Sequence, residues 1–343
     1  MPKLRQILSY MRLVLSAAFV IASCSASRAQ TLTGVNLSGA EFSPSHLPGR
    51  YGWDYSYPND DEIEYFTHKG VNIFRIPVRW ERLQPSLNGP LDPKELARLS
   101  QVIADAHAHG ASVIIDIHNY ANYQNIGLEA NPAVAASFAD LWKKLAVQFG
   151  QDDYVIFGLM NEPKIRNKDF WTNAVQEAID GIRRTGARNL ILVSGTGWDG
   201  AHNFVAINSA SLALLKDPDN HMDFEVHQYF DKNASGTSDV CVPPDQAVAT
   251  LKSFTQWLRT TKRQGFLGEF GASRNPNCLA ALDQVLSYLQ ANSEVWLGWT
   301  YWAAGPRWGN YMFTVEPDKG QDRPQMAILQ KYLHSSQSNT QAQ

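Results

Sequence analysis

The sequence lacks the short motifs of several common enzyme classes. Its 343 residues include only three cysteines, with no Cys-x-x-Cys and no His-Glu-x-x-His, so we expect no catalytic metal and no cofactor. The absence of a Gly-x-Ser-x-Gly elbow argues against a serine esterase. No glycine-rich fingerprint follows the first predicted strand, which argues against dinucleotide binding.

A long apolar run is also missing, and the run at the amino terminus is short. Residues 13–22 are apolar, and a run of about ten residues cannot span a bilayer. Basic residues precede this run, and Ser27-Arg28-Ala29 follows it as a small-x-small cleavage site. The pattern predicts a secretory signal peptide over residues 1–29 and a secreted, extracellular protein. Alternatively, residues 21–24 resemble a bacterial lipoprotein box, which would place a lipid anchor on Cys24.

The charge of the chain is acidic once the leader is removed. The full sequence has a formal charge of −3. Residues 1–29 contain four basic residues and no acidic one, so the mature charge is −7. An acidic exported protein is a poor partner for nucleic acid or for an anionic membrane surface. We therefore predict no nucleic-acid partner and no membrane contact beyond the possible anchor, and we expect a monomer.

Cleavage after Ala29 would leave two cysteines, Cys241 and Cys278. In an oxidising compartment an even pair favours a disulfide, here across the segment that contains Glu269. Two free buried thiols are the alternative.

Aromatic residues are frequent, at 11% of the chain with 10 Trp. They are consistent either with platforms for flat, ring-shaped ligands or with a Trp-rich core.

Strand and helix patterns alternate along the chain. Strands are predicted at residues 33–37, 71–77, 112–117, 155–162, 190–193, 222–227, 266–269 and 295–302. Helices are predicted at 60–69, 93–109, 133–149, 170–185, irregularly near 209–215, and at 245–263, 278–292 and 325–333. Eight such units favour a single α/β domain, a closed (β/α)8 TIM barrel over residues 30–334. The polar tail, 335–343, is predicted to be disordered.

Two of the predicted strands end in a carboxylate. One apolar run stops at Asn161-Glu162-Pro163, and a second stops at Glu269, 107 residues later. In such a barrel the carboxyl ends of the strands form the active face. Hydrolysis of an acetal needs a protonated acid and an ionised carboxylate. An unpaired Arg75 in an apolar strand would be costly, so we expect it to face Glu269.

The polar residues at the strand ends resemble the ordered motifs of glycoside hydrolase family 5, the cellulase family. The motifs that carry the resemblance are Gly34-Val35-Asn36 with Gly39-Ala40-Glu41-Phe42, Asn72–Pro77, Asp116–Tyr120, Asn161-Glu162-Pro163, Glu225–Tyr229, Gly268-Glu269-Phe270 and Trp302–Pro306. They are most similar to those of the subfamily of secreted endo-β-1,4-glucanases. The resemblance implies a retaining hydrolase that acts on β-glucan polysaccharide.

The resemblance also implies individual roles. Glu162 would be the acid/base and Glu269 the nucleophile, while Asn161 would hold the sugar 2-hydroxyl. The remaining implied contacts are Arg75 and Tyr229 around Glu269, His118 and His227 lining the cleavage subsite, Trp302 as its floor, and a Cys241–Cys278 disulfide.

Several alternatives stay open at this stage. Trp198 follows the fifth strand and is predicted to be a sugar platform, while Trp308 and Tyr123 lie in rim loops as either platforms or packing residues. The same machinery could act on mannan, xyloglucan or mixed-linkage β-glucan. A non-catalytic carbohydrate-binding barrel is the rival from another class.

Overall fold

The computed structural model describes residues 31–333. The predicted leader, the possible lipid site at Cys24 and the predicted disordered tail lie outside the described residues. Between residues 31 and 333 no helix combines the length and the apolar character that a membrane crossing requires.

Eight parallel strands close into a barrel, which confirms the predicted (β/α)8 fold. Around the barrel the order is β1-β10-β9-β8-β7-β6-β3-β2. The barrel strands are β1 Leu32–Leu37, β2 Ile73–Val78, β3 Ser112–Ile117, β6 Val155–Gly158, β7 Ile191–Ser194, β8 Met222–His227, β9 Gly265–Glu269 and β10 Trp296–Ala304. A small antiparallel hairpin, β4 Asn122–Tyr123 and β5 Ile126–Gly127, follows the third barrel strand.

Helices alternate with the strands. They are α1 Asp60–His68, α2 Trp80–Leu83, α3 Pro93–Ala108, α4 Pro132–Phe149, α5 Lys168–Arg183, α6 Ala201–Leu212, α7 Pro244–Thr261, α8 Pro276–Ala291 and α9 Pro324–Leu329. Proline occupies the first turn of five of them, where its missing N–H costs no hydrogen bond. Asparagine or aspartate caps α1, α3, α4, α5 and α8.

Three predicted boundaries were wrong by at least four residues, one of them the end of the last helix, predicted at residue 333 and observed at Leu329. The strand expected to reach Glu162 ends at Gly158, and the Glu162 backbone has φ +40, which a strand does not accommodate. The helix expected near residues 209–215 begins earlier, at Ala201. Gly200 precedes it without a side-chain cap, so its start has no signal in the sequence. The hairpin and α2 were not predicted.

The strands divide their side chains between two cores. Inside the barrel, Ile73, Ile114, Ile156, Leu192 and Phe266 form a separate apolar cluster. The strand residues next to them in sequence, such as Phe74 and Ile115, point to the opposite face and belong to the larger core that contacts the helices. Because alternate residues of a strand point to opposite faces, the strands are buried on both sides.

Candidate active site

The site is built around Arg75, which is completely buried in β2. Its guanidinium lies 2.9 Å from Glu269 Oε1, 3.1 Å from Asp116 Oδ1 and 2.8 Å from Glu225 Oε1. It also donates hydrogen bonds of 2.9 Å to Asn161 Oδ1 and 3.0 Å to Asn36 Oδ1. Burial opposes the charge, but the three carboxylates hold the pKa of Arg75 above its ordinary value. One fixed cation therefore organises residues from five strands or their ends.

Glu269 ends β9 and has two strong hydrogen-bond donors. Arg75 Nη1 donates to one carboxylate oxygen, and the Tyr229 hydroxyl donates to the other at 3.1 Å. Burial and the negative charge of Glu269 raise the pKa of Tyr229 well above its ordinary value, so the phenol stays protonated and remains a donor. Both carboxylate oxygens of Glu269 are therefore held in fixed directions by donors.

Glu162 lies opposite Glu269, in the segment that follows β6. The N–H of Leu159 donates to Leu192 O at 3.1 Å and that of Asn161 to Ile117 O at 2.9 Å, so the segment stays attached to neighbouring strands up to the site. The left-handed backbone of Glu162 then turns its side chain into the barrel mouth. Such conformations in a non-glycine residue are typical of functional sites.

His227 connects the two glutamates. Its Nδ1 lies 2.9 Å from Glu162 Oε1 and 3.6 Å from Glu269 Oε2. Although burial opposes protonation, the charge of Glu269 and the hydrogen bonds with Glu162 and Glu225 hold the pKa of His227 well above its ordinary value. Protonation of the ring is therefore favoured, which suits Nδ1 as the donor to Glu162.

One ligand atom each from Glu162, His227 and Glu269 can be chosen so that the three atoms lie within 4.8 Å of one another. Three such ligands could in number hold a divalent cation. However, Nδ1 of His227 already contacts both carboxylates. The prediction that no catalytic metal is needed stays a prediction.

Two carboxylates that sequence reasoning did not assign a role are central to this arrangement. Asp116 contacts Arg75 and His118 Nδ1, the latter at 2.7 Å, and Glu225 contacts Arg75 and His227 Nε2, the latter at 3.3 Å. The signal was present in both strands, since each reads carboxylate-x-His. A period of two places both members of such a pair on the same face.

The predicted aromatic residues occupy different positions around the mouth. Trp302 stacks on His118 with ring centroids 5.5 Å apart, and Trp308 contacts the edge of Trp302 at 5.7 Å. Trp198 is 57% exposed. Tyr123 is a packing residue, because its ring is buried and its hydroxyl donates to Gln84 O at 2.9 Å.

An open cavity of about 680 Å³ leads away from the glutamates on the side of Trp198. It is lined by Glu162, His227, Tyr229 and Trp198, together with polar residues such as Lys164 and Asn233. Its volume lies within the range of about 300–1,000 Å³ that is usual for ligand pockets. Asn161 Nδ2 is buried and has no hydrogen-bond partner within residues 31–333, so it remains a donor for a ligand.

Cys241 and Cys278 form a disulfide with an S–S distance of 2.00 Å. The bond connects the segment after β8 to the first turn of α8. It therefore joins the loops on the two sides of β9, which carries Glu269.

Two carboxylates across the mouth of a (β/α)8 barrel, one paired with an arginine and a phenol and the other more exposed, define a glycoside hydrolase. A family model described as cellulase (glycosyl hydrolase family 5) matches residues 27–305. The chain belongs to that family.

Individual proteins of known type agree with this assignment. Endo-beta-1,4-glucanase B of Aspergillus niger is 38% identical over 302 residues, which cover 88% of this chain and 89% of that protein. The structure of XacCel5A in complex with cellopentaose is 48% identical, with a TM-score of 0.87 and coverage of 88% and 99%. Endoglucanase Cel5A of Pseudomonas stutzeri in complex with cellobiose is 34% identical, with a TM-score of 0.83 and coverage of 88% and 92%.

Proposed function

We propose that the protein is an exported endo-β-1,4-glucanase that hydrolyses internal bonds of β-1,4-linked glucan with retention at the anomeric carbon. The observation that carries this proposal is that one carboxylate oxygen of Glu162 and one of Glu269 lie within 4.8 Å of each other. Inverting enzymes need carboxyl groups about 6.5–9.5 Å apart to admit a water molecule, whereas retaining enzymes use about 5–5.5 Å. Export is inferred from the leader pattern alone.

In this proposal Glu269 is the nucleophile. The carboxylate attacks the anomeric carbon, and the bond to the departing glycosidic oxygen breaks as a covalent glycosyl-enzyme forms. Arg75 and Tyr229 donate hydrogen bonds to Glu269 and fix the direction of its oxygens. Because the guanidinium also contacts Asp116 and Glu225, it cannot rotate away from Glu269 without leaving these buried charges unpaired.

Glu162 is the acid/base. It protonates the leaving oxygen in the first step and removes a proton from water in the second. Its side chain is 16% exposed, against 5% for Glu269, so it can exchange protons with solvent between the two steps. His227 fixes its orientation through the 2.9 Å contact.

The sugar is held from several directions. Asn161 has its oxygen fixed by Arg75 and its Nδ2 free, which suits a hydrogen bond to the 2-hydroxyl. His118, held by Asp116, and the face of Trp302 would line the cleavage subsite. Trp198 lies in the cavity beyond Glu162 and would stack on the departing side, while Trp308 contacts Trp302 on its other flank.

The alternative substrates are mannan, xyloglucan and mixed-linkage β-glucan. The named relatives favour β-1,4-glucan, since those proteins are endo-beta-1,4-glucanases or were solved with cellopentaose or cellobiose. A non-catalytic binding barrel is disfavoured, because both carboxylates and their positioning residues are present.

A panel of soluble polysaccharides tests the substrate, and NMR of the first products tests the mechanism. We expect carboxymethyl cellulose to be cut faster than mannan or xyloglucan, and β-anomeric products to appear before mutarotation. Intact carboxymethyl cellulose beside cleaved mannan would reject the glucanase assignment. Initial α-anomers would reject the double displacement.

A further inference from the structure

A second open cavity lies beside the one that reaches the glutamates, on the far side of Trp198. Its volume is about 380 Å³. Asn122, Lys164, Gly197 and Trp198 line both cavities, so the exposed indole and the lysine belong to a shared wall. Glu162 lines only the first cavity. A glucan chain that extends away from Glu162 past Trp198 therefore enters the second cavity.

Two basic side chains lie along this path. Lys164 follows Glu162 by two residues, and its Nζ lies 5.9 Å from the centre of the Trp198 ring. Arg166 lines the second cavity. Within residues 31–333 neither Lys164 nor Arg166 forms an ion pair or a side-chain hydrogen bond. Both residues are exposed, so their positive charges remain available to a ligand.

The acidic groups near these two cations already have partners. Glu129 is the carboxylate that lines the second cavity, and its two oxygens accept the N–H groups of Arg166 and Asn167, each at 3.0 Å. In the first cavity, Glu162 contacts His227 at 2.9 Å. The other residues that line the second cavity are uncharged. The path beyond Trp198 therefore has an excess of positive charge, although the chain as a whole is acidic.

The direction of the substrate follows from the proposed function. The glycosidic oxygen that Glu162 protonates belongs to the departing chain, and this chain carries the reducing end of the polysaccharide. An ammonium and a guanidinium on that side can each form a charge-assisted hydrogen bond with a carboxylate, while Trp198 stacks on a sugar ring. We propose that Trp198, Lys164 and Arg166 form a subsite for an acidic aglycone, that is, a departing glucan segment that carries a carboxylate. The inference rests on the proposed function.

Two kinds of glucan would place a carboxylate in this subsite. One carries acidic substituents along the chain, and the other ends in a sugar whose reducing end is oxidised to an aldonic acid. Carboxymethyl cellulose represents the first kind, and its neutral counterpart is hydroxyethyl cellulose of similar length and degree of substitution. Cellopentaonic acid represents the second kind, and its neutral counterpart is cellopentaose.

The double variant Lys164→Gln/Arg166→Gln tests the subsite. The measured quantity is the ratio of kcat/KM for an acidic substrate to kcat/KM for its neutral counterpart, at about 0.01 M salt. We expect the variant to lower this ratio about three- to tenfold for at least one of the two pairs, since each exposed charge contributes modestly. At about 1 M salt the ratios of variant and wild type should coincide, because exposed charges are then screened.

The two pairs of substrates identify the source of the carboxylate. A fall limited to carboxymethyl cellulose would assign the subsite to acidic substituents, and a fall limited to cellopentaonic acid would assign it to an oxidised chain end. A merely structural defect would lower the rates on acidic and neutral substrates together and would leave both ratios unchanged. Lys164→Arg keeps the positive charge and should keep the wild-type ratio.

Lys143→Gln/Lys252→Gln is the matched control. It removes the same charge from exposed positions within α4 and α7, and neither lysine lines the two cavities. Unchanged ratios for both pairs in Lys164→Gln/Arg166→Gln, or an equal fall in the control, would overturn the inference. A wild-type protein that leaves cellopentaose intact would instead remove the proposed function.

Discussion

The two ends of the barrel interior differ completely in chemistry although the same strands build both. Near the amino-terminal end, Ile73, Ile114, Ile156, Leu192 and Phe266 form an apolar cluster. Two residues further along β2 and β3 the same inward face carries Arg75 and Asp116. The apolar layer closes the bottom of the barrel, and the charged layer opens to the cavity. A shift of two residues along one strand therefore leads from the layer that stabilises the barrel to the layer that carries the charged groups of the site.

The charged layer needs space as well as partners. Gly268 lies two residues after Phe266, and a Cβ at that position would fall 2.0 Å from Glu225 Oε1. Glycine is therefore required where the Glu225 side chain crosses the barrel. Buried charges of this kind are tolerated because each is ion-paired and hydrogen-bonded.

The largest expected effect is at the charged end, in Glu269→Gln. The amide cannot form the glycosyl-enzyme, so kcat on cellopentaose should fall on the order of 10⁴-fold or more. Oligosaccharide binding, measured by calorimetry, should persist. Glu64→Gln on exposed α1 is the control and should leave kcat unchanged. Full activity in Glu269→Gln would remove the assignment of the nucleophile.

Arg75→Met would break the charged layer without opening a large cavity. Asp116, Glu225 and Glu269 would lose their shared cation, so the free energy of unfolding should fall by about 3–5 kcal/mol. We also expect kcat to fall by about 10²–10³-fold, because Glu269 loses a fixed donor. Denaturant unfolding and initial rates measure the two effects. A stable, fully active variant would mean that the cation does not organise the site.

Ile114→Ala makes the opposite change at the apolar end. The free energy of unfolding should fall by about 2–5 kcal/mol through the cavity left behind. However, kcat at a temperature where the variant is folded should stay within about twofold of the wild type, since no site residue loses a partner. A large loss of kcat without a loss of stability would contradict the separation of the two layers.

The smallest effect concerns the pH dependence of stability. Although burial opposes ionisation, Arg75 lowers the pKa of Glu225 below its ordinary 4.5. The contribution of Glu225 to the free energy of unfolding is therefore complete above pH 4.5 and is lost as the pH falls through the folded pKa. The raised pKa of His227 acts in the opposite direction. The contribution of His227 to the free energy of unfolding is complete below its ordinary pKa of 6.5 and is lost as the pH rises through the folded pKa.

Glu225→Gln should accordingly weaken the loss of stability in acid. By contrast, the stability difference between Ile114→Ala and the wild type should vary by less than about 0.5 kcal/mol between pH 4 and 9. Urea unfolding at several pH values provides both comparisons. A strongly pH-dependent difference for Ile114→Ala would show that the layers are coupled.

Much of the site could be predicted because strand ends of a parallel barrel meet at one rim. Glu162, Glu269 and Arg75 were identifiable as polar residues that terminate or interrupt apolar strands. Asp199, whose Oδ2 lies 3.9 Å from His227 Nε2, was not identifiable in this way, because it follows a tryptophan in a loop and lies at no strand end. Its contact with His227 depends on a left-handed turn that no local pattern specified. The backbone of Glu162 was missed for the same reason.

The sequence by itself determined the alternation of strands and helices, the eightfold count, and the residue types delivered to the barrel mouth, because hydrophobic period and capping are local properties. Only the tertiary structure decided which charges meet. Arg75 contacts three carboxylates, and His227 lies among four carboxyl groups, since ring closure and strand stagger bring together residues separated by up to 194 positions. Distances between side chains on different strands are set by packing, and no local pattern records them.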